Sequence, residues 1–216
     1  MYRFPRKIYL ASQSPRRRAL LKQFGIPHAI IEGDHNEPET HCGSPEKTVE
    51  HFALVKARTA SGKVRRGIVL GFDTIVFHNG RILEKPRSRR DAYAMLRALS
   101  GSAHTVYTGM AAVVLPEGRC EVFHEKTRVF FRKLEETEIK NYINTGEPFD
   151  KAGAYGIQGA GGSFVKRVNG CFFTVVGLPA ALLMTFLNRV RQEKKRNGHT
   201  QFIPRSQRAP YRRRSS

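Results

Sequence analysis

Ten consecutive residues, Ile68-Val69-Leu70-Gly71-Phe72-Asp73-Thr74-Ile75-Val76-Phe77, carry a single charge. A run this rich in β-branched and aromatic residues predicts a central strand, buried from both sides by other layers. Asp73 breaks the run. As a turn former it would end the strand there. Inside the strand it must meet a cation or a metal, because a carboxylate taken out of water unpaired is costly. The apolar residues on both sides favour the second reading. His78-Asn79-Gly80-Arg81 then reads as a tight hairpin turn. Ile82-Leu83 returns from it and brings Glu84-Lys85-Pro86 toward Asp73.

A second strand, Ile8 to Ala11, runs through Ser12 into a helix start. Ser14 suits the N-cap, Pro15 the first helical position, and Gly25 the residue after the end. Arg16 and Arg17 in the first turn oppose the helix dipole. Either they form a solvated basic turn, or an anion sits there and is gripped by guanidinium and unpaired backbone N–H groups. Ser44-Pro45 opens another helix in the same way. Its apolar series Val49, Phe52, Ala53 continues to Lys56, whose ammonium either snorkels or reaches a cleft. Further along come a helix from Ser88 to Ser100 with a Ser88/Asp91 capping box, and strands Thr105–Leu115 and Cys120–Phe131. A helix Glu135–Asn144, a hairpin of Ser163–Val168 with Phe172–Val176, and a last helix from Ala180 to about Val190 follow. Between residues 146 and 162 lie six glycines together with Phe149, Tyr155 and Ile157. That mixture suits close approach of the backbone to a ligand better than a flexible linker.

Strands alternating with helices, then antiparallel hairpins, predict an α/β fold: a mixed twisted sheet flanked by helices, with two lobes around an active-site cleft. The 216 residues, 40% of them hydrophobic, suffice for one sizeable core. No apolar run is long enough to span a membrane, and Met1 to Lys7 lacks the apolar core of a signal peptide. Cys42, Cys120 and Cys171 are odd in number and far apart, which fits a reducing, cytoplasmic location. Of the net charge of +20, much lies in residues 189–216, where ten Lys or Arg face one acid. We therefore expect a domain over 1–188 and a basic, disordered tail over 189–216. The tail is either a solvated extension or a weak, salt-sensitive contact for nucleic acid or acidic lipid.

Arg16, Arg17, Lys56 and Lys85, set beside Glu37 and Asp73, are an inventory for phosphoryl chemistry: cations for phosphates, acids for a divalent metal and for water. Neither a P-loop nor a dinucleotide fingerprint is present. His28, His35 and His41 lack a zinc spacing and read as loop histidines.

The ordered set Ala11-Ser12-Gln13-Ser14-Pro15-Arg16-Arg17, Gly71-Phe72-Asp73-Thr74, Glu84-Lys85-Pro86, Leu99-Ser100-Gly101, Gly146 through Gly159 and Val175-Val176-Gly177-Leu178-Pro179 strongly resembles the Maf family of nucleotide pyrophosphatases, over about residues 7–188. The resemblance implies a Maf/ITPase-like fold and metal-dependent hydrolysis of a nucleoside triphosphate between its α and β phosphates, as in housecleaning enzymes. By motif position, Asp73 would accept the proton of the attacking water. Asp73 and Glu37 would hold the metal, Mg²⁺ or Mn²⁺. Ser12, Arg16, Arg17, Lys56 and Lys85 would hold phosphates, and Arg16, Thr74 and Gln158 match the dTTP/UTP subgroup. The family often dimerises, so a homodimer is a further expectation. Its association with septum formation leaves a division-regulating or nucleic-acid-binding role, using the basic tail, as the competing class. Two positions depart from the family's pattern. Phe72 replaces the usual Ala, which either narrows the pocket or repacks the core, and Asn36-Glu37 replaces a pair of acids.

Overall fold

A computed structural model describes residues 4–31 and 42–199 of the chain. Its centre is β3 (Gly67–His78), the apolar run extended at both ends. β1 (Ile8–Ala11) lies parallel to β3 on one edge, and β2 (His28–Ile30) lies parallel to β1. On the other edge β5 (Ala103–Leu115), β6 (Arg119–Phe131) and β7 (Val165–Asn169) continue the sheet antiparallel. The order is β2-β1-β3-β5-β6-β7, with the short β4 (Arg81–Leu83) paired to β3 as the seventh strand. The hairpin turn forms as its residues require: Asn79 and Gly80 both take positive φ, +46° and +77°.

Helices cover both faces. α1 (Pro15–Gln23) starts as expected, with Ser14 Oγ accepting from the Arg17 N–H and Pro15 in the first turn. α2 (Pro45–Ser61) starts the same way on Ser44. In α3 (Arg89–Leu99) Ser88 Oγ accepts from Asp91 N–H at 3.1 Å, while the Asp91 carboxylate accepts from Arg87 N–H, one residue earlier than a regular capping box. α4 spans Glu136–Asn144. Three short 3₁₀ turns follow, at Glu147–Asp150, Ala152–Ala154 and Ala160–Phe164.

The alternation of β3 sorts the layers. Val69 meets Ala53, Ala57 and Ala60 of α2, and Ile75 meets Val49. On the opposite face Ile68, Leu70 and Phe72 pack with Leu20 and Leu21 of α1, whereas Val76 joins Leu96, Leu99, Ile139 and Tyr142 of α3 and α4. Two apolar clusters thus share one face, and between them the sheet carries the hydroxyls of Thr74 and Thr108.

Two expectations need correction. Phe172–Val176 is a short helix, α5, and not the second strand of a hairpin. β7 takes β6 as its partner, so the following segment is not needed as a strand. Gly177 at φ +106° closes α5, and Leu178 N–H donates to Phe173 O at 2.9 Å, a closure that outweighs the strand preference of Thr174-Val175-Val176. The last helix, α6 (Ala180–His199), runs well past Val190, so the start of the basic tail is helical, and the boundary drawn at 188 falls inside a helix. Arg189 pairs with Glu121, and Glu193 pairs with Arg119 at 2.8 Å; these contacts hold the exposed turns against β6. Residues 200–216 lie outside the described residues, as do His35, Asn36, Glu37 and His41.

Candidate active site

The strand registers create a notch. The β1 ladder on β3 ends at Gly71, and the β4 ladder, on the same edge, begins at Val76. Residues 72–75 of β3 lie between, and the ends of β1 and β4 point toward each other across them. The chain leaves β1 through α1 to β2 on one side and returns through α2 to β3 on the other. The carboxyl end of β1 is therefore a topological switch point, where open α/β sheets form their ligand crevices.

Neighbouring residues in this notch face opposite ways. Asp73 points toward α2, where its Oδ1 accepts from Lys56 Nζ at 2.6 Å; the two side chains are 11% and 14% exposed. α2 can approach this closely because Gly71 and Gly109, on adjacent strands, have no side chains. A Cβ at Gly71 would collide with the Ala53 carbonyl, and one at Gly109 with the Val49 carbonyl. Lys56 thus ends the apolar series of α2 on a buried carboxylate, which settles the reading of Asp73: it stays in the strand and meets a cation.

Thr74 points the other way. Its Oγ1 accepts from Arg17 Nη2 at 3.1 Å and lies 3.0 Å from Thr108 Oγ1. Thr108 in turn donates to Thr174 O at 2.7 Å, and the Thr174 hydroxyl donates to Glu125. Arg17 also donates from Nη1 to Ser12 Oγ (3.0 Å) and from Nε to Gly177 O (2.8 Å). It ties the start of α1 to β1, to β3 and to the turn before α6. Below it lies Phe72, fully buried, its ring centroid 5.8 Å from the guanidinium carbon. The ring at this position is thus part of the core under Arg17.

Arg16 reaches the glycine-rich segment instead, donating from Nη1 to Asp150 Oδ2 at 2.8 Å. Asp150 also accepts from Lys151 Nζ at 2.6 Å. Partial burial pushes the Asp150 carboxyl up, but the hydrogen bonds from Lys151 and Arg16 outweigh it and hold its pKa below the ordinary value. The glycine-rich segment docks beside the notch: Gly153 N–H donates to Glu84 O at 3.1 Å, next to Lys85. Lys85 and Gln158 are both exposed. A cavity of about 530 Å³ between α1 and β2, lined by Arg18, Lys22 and His28 among others, opens elsewhere and includes none of the residues named for the site.

Ser12, Arg17 and Thr74 are therefore brought together on one face, Lys56 and Asp73 on the other, and Arg16 joins the glycine-rich segment. Sequence reasoning missed Asp150, Glu147, Thr108 and Thr174. Asp150 and Glu147 were visible as two acids among the glycines. The threonines carry no local signal, since they look like ordinary strand or helix residues.

The model of the family described as "Maf-like protein" matches residues 7–190. The chain belongs to the Maf family. The dTTP/UTP pyrophosphatase of Pelotomaculum thermopropionicum is 46% identical over 184 residues, 85% of this chain and 96% of that protein. The dTTP/UTP pyrophosphatase of Moorella thermoacetica is 48% identical over 173 residues, 80% and 89% of the two chains. That of Caldanaerobacter subterraneus subsp. tengcongensis is 46% identical over 184 residues, 85% and 88%. Among solved structures, the Staphylococcus aureus Ham1 protein aligns with a TM-score of 0.43 at 14% identity, covering 58% of this chain and 71% of that one.

As a metal site, Asp73 supplies a hard carboxylate oxygen. Among the described residues no cluster of three or more His, Cys, Asp or Glu surrounds it. A hard oxygen donor of this kind suits a hard divalent cation such as Mg²⁺, which substrate phosphates and water also ligate.

Proposed function

We propose that this Maf protein is a nucleoside triphosphate pyrophosphatase that hydrolyses dTTP and UTP, and modified pyrimidine nucleotides of the same shape, to the monophosphate and pyrophosphate in a housecleaning role. The observation that carries the reading is the Lys56–Asp73 pair in the notch at the switch point, in a chain whose relatives bear that name over nearly their whole length.

In this reading the triphosphate enters the notch between the start of α1 and the end of β4. Ser12, Arg16, Arg17 and Lys85 line its approach, and Lys56 shares its charge between Asp73 and the phosphates. Asp73 takes the proton from a water whose oxygen attacks the α-phosphorus. The α–β bridging oxygen leaves with the pyrophosphate, and the products are one monophosphate and one pyrophosphate per water consumed. Asp73 and Glu37 would hold a divalent cation, which when bound would neutralise charge on the phosphates. Gln158, with an amide that donates and accepts at once, pairs with the pyrimidine edge; Arg16 and Thr74 complete the selectivity. The catalytic unit is assigned to the domain that closes with α6, and the protein to the cytoplasm; among the described residues no helix is long and apolar enough to cross a membrane. Binding through the basic tail, the competing reading, draws on residues 189–216, of which 200–216 lie outside the described residues.

The test is pyrophosphate release from a panel of nucleoside triphosphates with Mg²⁺ or Mn²⁺. Wild type should prefer dTTP and UTP, and Asp73→Asn should lose about 10³-fold in turnover with the fold intact. Turnover of no nucleotide by wild type, or full activity of the variant, would overturn the reading.

A further inference from the structure

The glycine-rich segment is held together by one carboxylate that no step above uses. Glu147 Oε1 accepts from the Tyr142 hydroxyl at 2.9 Å and from Gly161 N–H at 3.4 Å, and Oε2 accepts from Ala160 N–H at 2.9 Å. The Tyr142 hydroxyl in turn accepts from Gly156 N–H at 3.1 Å. These contacts bracket the turn in which Gly159 N–H donates to Gly156 O, and Gln158 stands within that turn. Both ends of the turn are therefore tied to the same carboxylate–phenol pair. The glycines are the counterpart of this arrangement. A Cβ on Gly159 would run into the Glu147 carboxylate, one on Gly156 into the Lys151 side chain and then that carboxylate, and one on Gly161 into the Tyr142 hydroxyl. The phenol is itself buried, which with the nearby Glu147 raises its pKa and keeps it a donor. Tyr142 is seated on Phe164, ring centroids 4.9 Å apart, so the pair has a rigid base.

We infer that Glu147 is the positioning residue for base selection: its carboxylate fixes the 156–161 turn so that Gln158 is presented to the nucleotide in one conformation. A pairing side chain on a loose turn would lose selectivity, because each alternative turn geometry places the amide differently. The inference rests on the assignment of Gln158 to the base. Asp73 and Lys56, which carry the chemical step in that reading, lie on the other face of the sheet.

Glu147→Gln tests it. The substituted amide keeps an acceptor toward one N–H and sets its NH₂ against another donor, so the turn loosens while the side-chain volume stays the same. The expected result is a KM for dTTP raised about 10-fold or more, kcat within about 3-fold of wild type, and a preference for dTTP over dCTP and GTP reduced about 10-fold. Gln158→Ala should reduce the preference similarly, and the double variant should be no less selective than Gln158→Ala alone. If Gln158→Ala alters selectivity and a folded Glu147→Gln does not, the inference fails and the assignment of Gln158 stands. If Gln158→Ala leaves selectivity unchanged, both fail. Tyr142→Phe, which removes only the hydroxyl, decides the matter should Glu147→Gln not fold: it should shift KM and selectivity in the same direction by about 3-fold, and wild-type values would overturn the inference.

Discussion

At the notch, one step along β3 separates two kinds of construction. Toward α2, Asp73 meets a lysine delivered by a single helix lying close against two glycines. On the opposite face, Thr74 enters a series of hydrogen bonds that links α1, β3, β5, α5 and β6 through Arg17, Thr108, Thr174 and Glu125. A charge in a low-dielectric setting depends on its partner, so the first face concentrates its energetics in one pair. Hydroxyls contribute little one at a time, so the second face spreads them over several elements, with Arg17 and Glu125 as the charged ends of the series.

The largest test of this contrast is Lys56→Met, which removes the ammonium beside a buried carboxylate. Stability should fall by about 4 kcal/mol in urea unfolding at neutral pH. Adding Asp73→Asn should recover a large part of that loss, and simple additivity would break the claim that the pair is the unit.

Next is pH, which should act through the opposite face. His104 on β5 is buried, with Nε2 on the Tyr155 hydroxyl at 2.8 Å; its Nδ1 is, among the described residues, the one buried side-chain nitrogen or oxygen without a partner. Burial, with His78 nearby adding to it, lowers its pKa from 6.5 to about 3. The unfolded chain therefore takes up a proton near pH 6.5 that the folded chain refuses until about pH 3, so stability is full above pH 6.5 and is lost as pH falls below it. Between about pH 7 and pH 5 the loss should reach about 2 kcal/mol. His104→Phe, which keeps the ring contacts with Phe131 and Tyr155, should flatten that slope; an unchanged slope would assign it to other groups.

The smallest effect is expected for Thr108→Val, about 1 kcal/mol, read as a small drop in melting temperature. A loss as large as that of Lys56→Met would erase the distinction between the faces.

Much of the scaffold was legible because its signals are local. The caps at Ser14, Ser44 and Ser88, the Asn79-Gly80 turn and the long apolar run each act within a few residues, and each forms as expected. The misreadings also have local causes. Thr174-Val175-Val176 has strand composition, but a glycine closure and burial of Thr174 and Val176 make it helical. Arg17 looked like a phosphate ligand from its place in the first turn. In the fold three of its nitrogens already bind Ser12, Thr74 and Gly177, which makes it a brace of the site as well as a candidate ligand.

By itself the sequence determined most of the elements, the family and the roster of charged residues, because capping, turn chemistry and hydrophobic period are written in neighbouring residues. Only the tertiary structure decided who meets whom. Lys56 finds Asp73 because two glycines let a helix lie close to the sheet. Asp73 and Thr74 part because a strand alternates its faces, and Arg16 finds Asp150 across 134 positions of chain. Such meetings are fixed by strand register and packing distance, which no local stretch of sequence specifies.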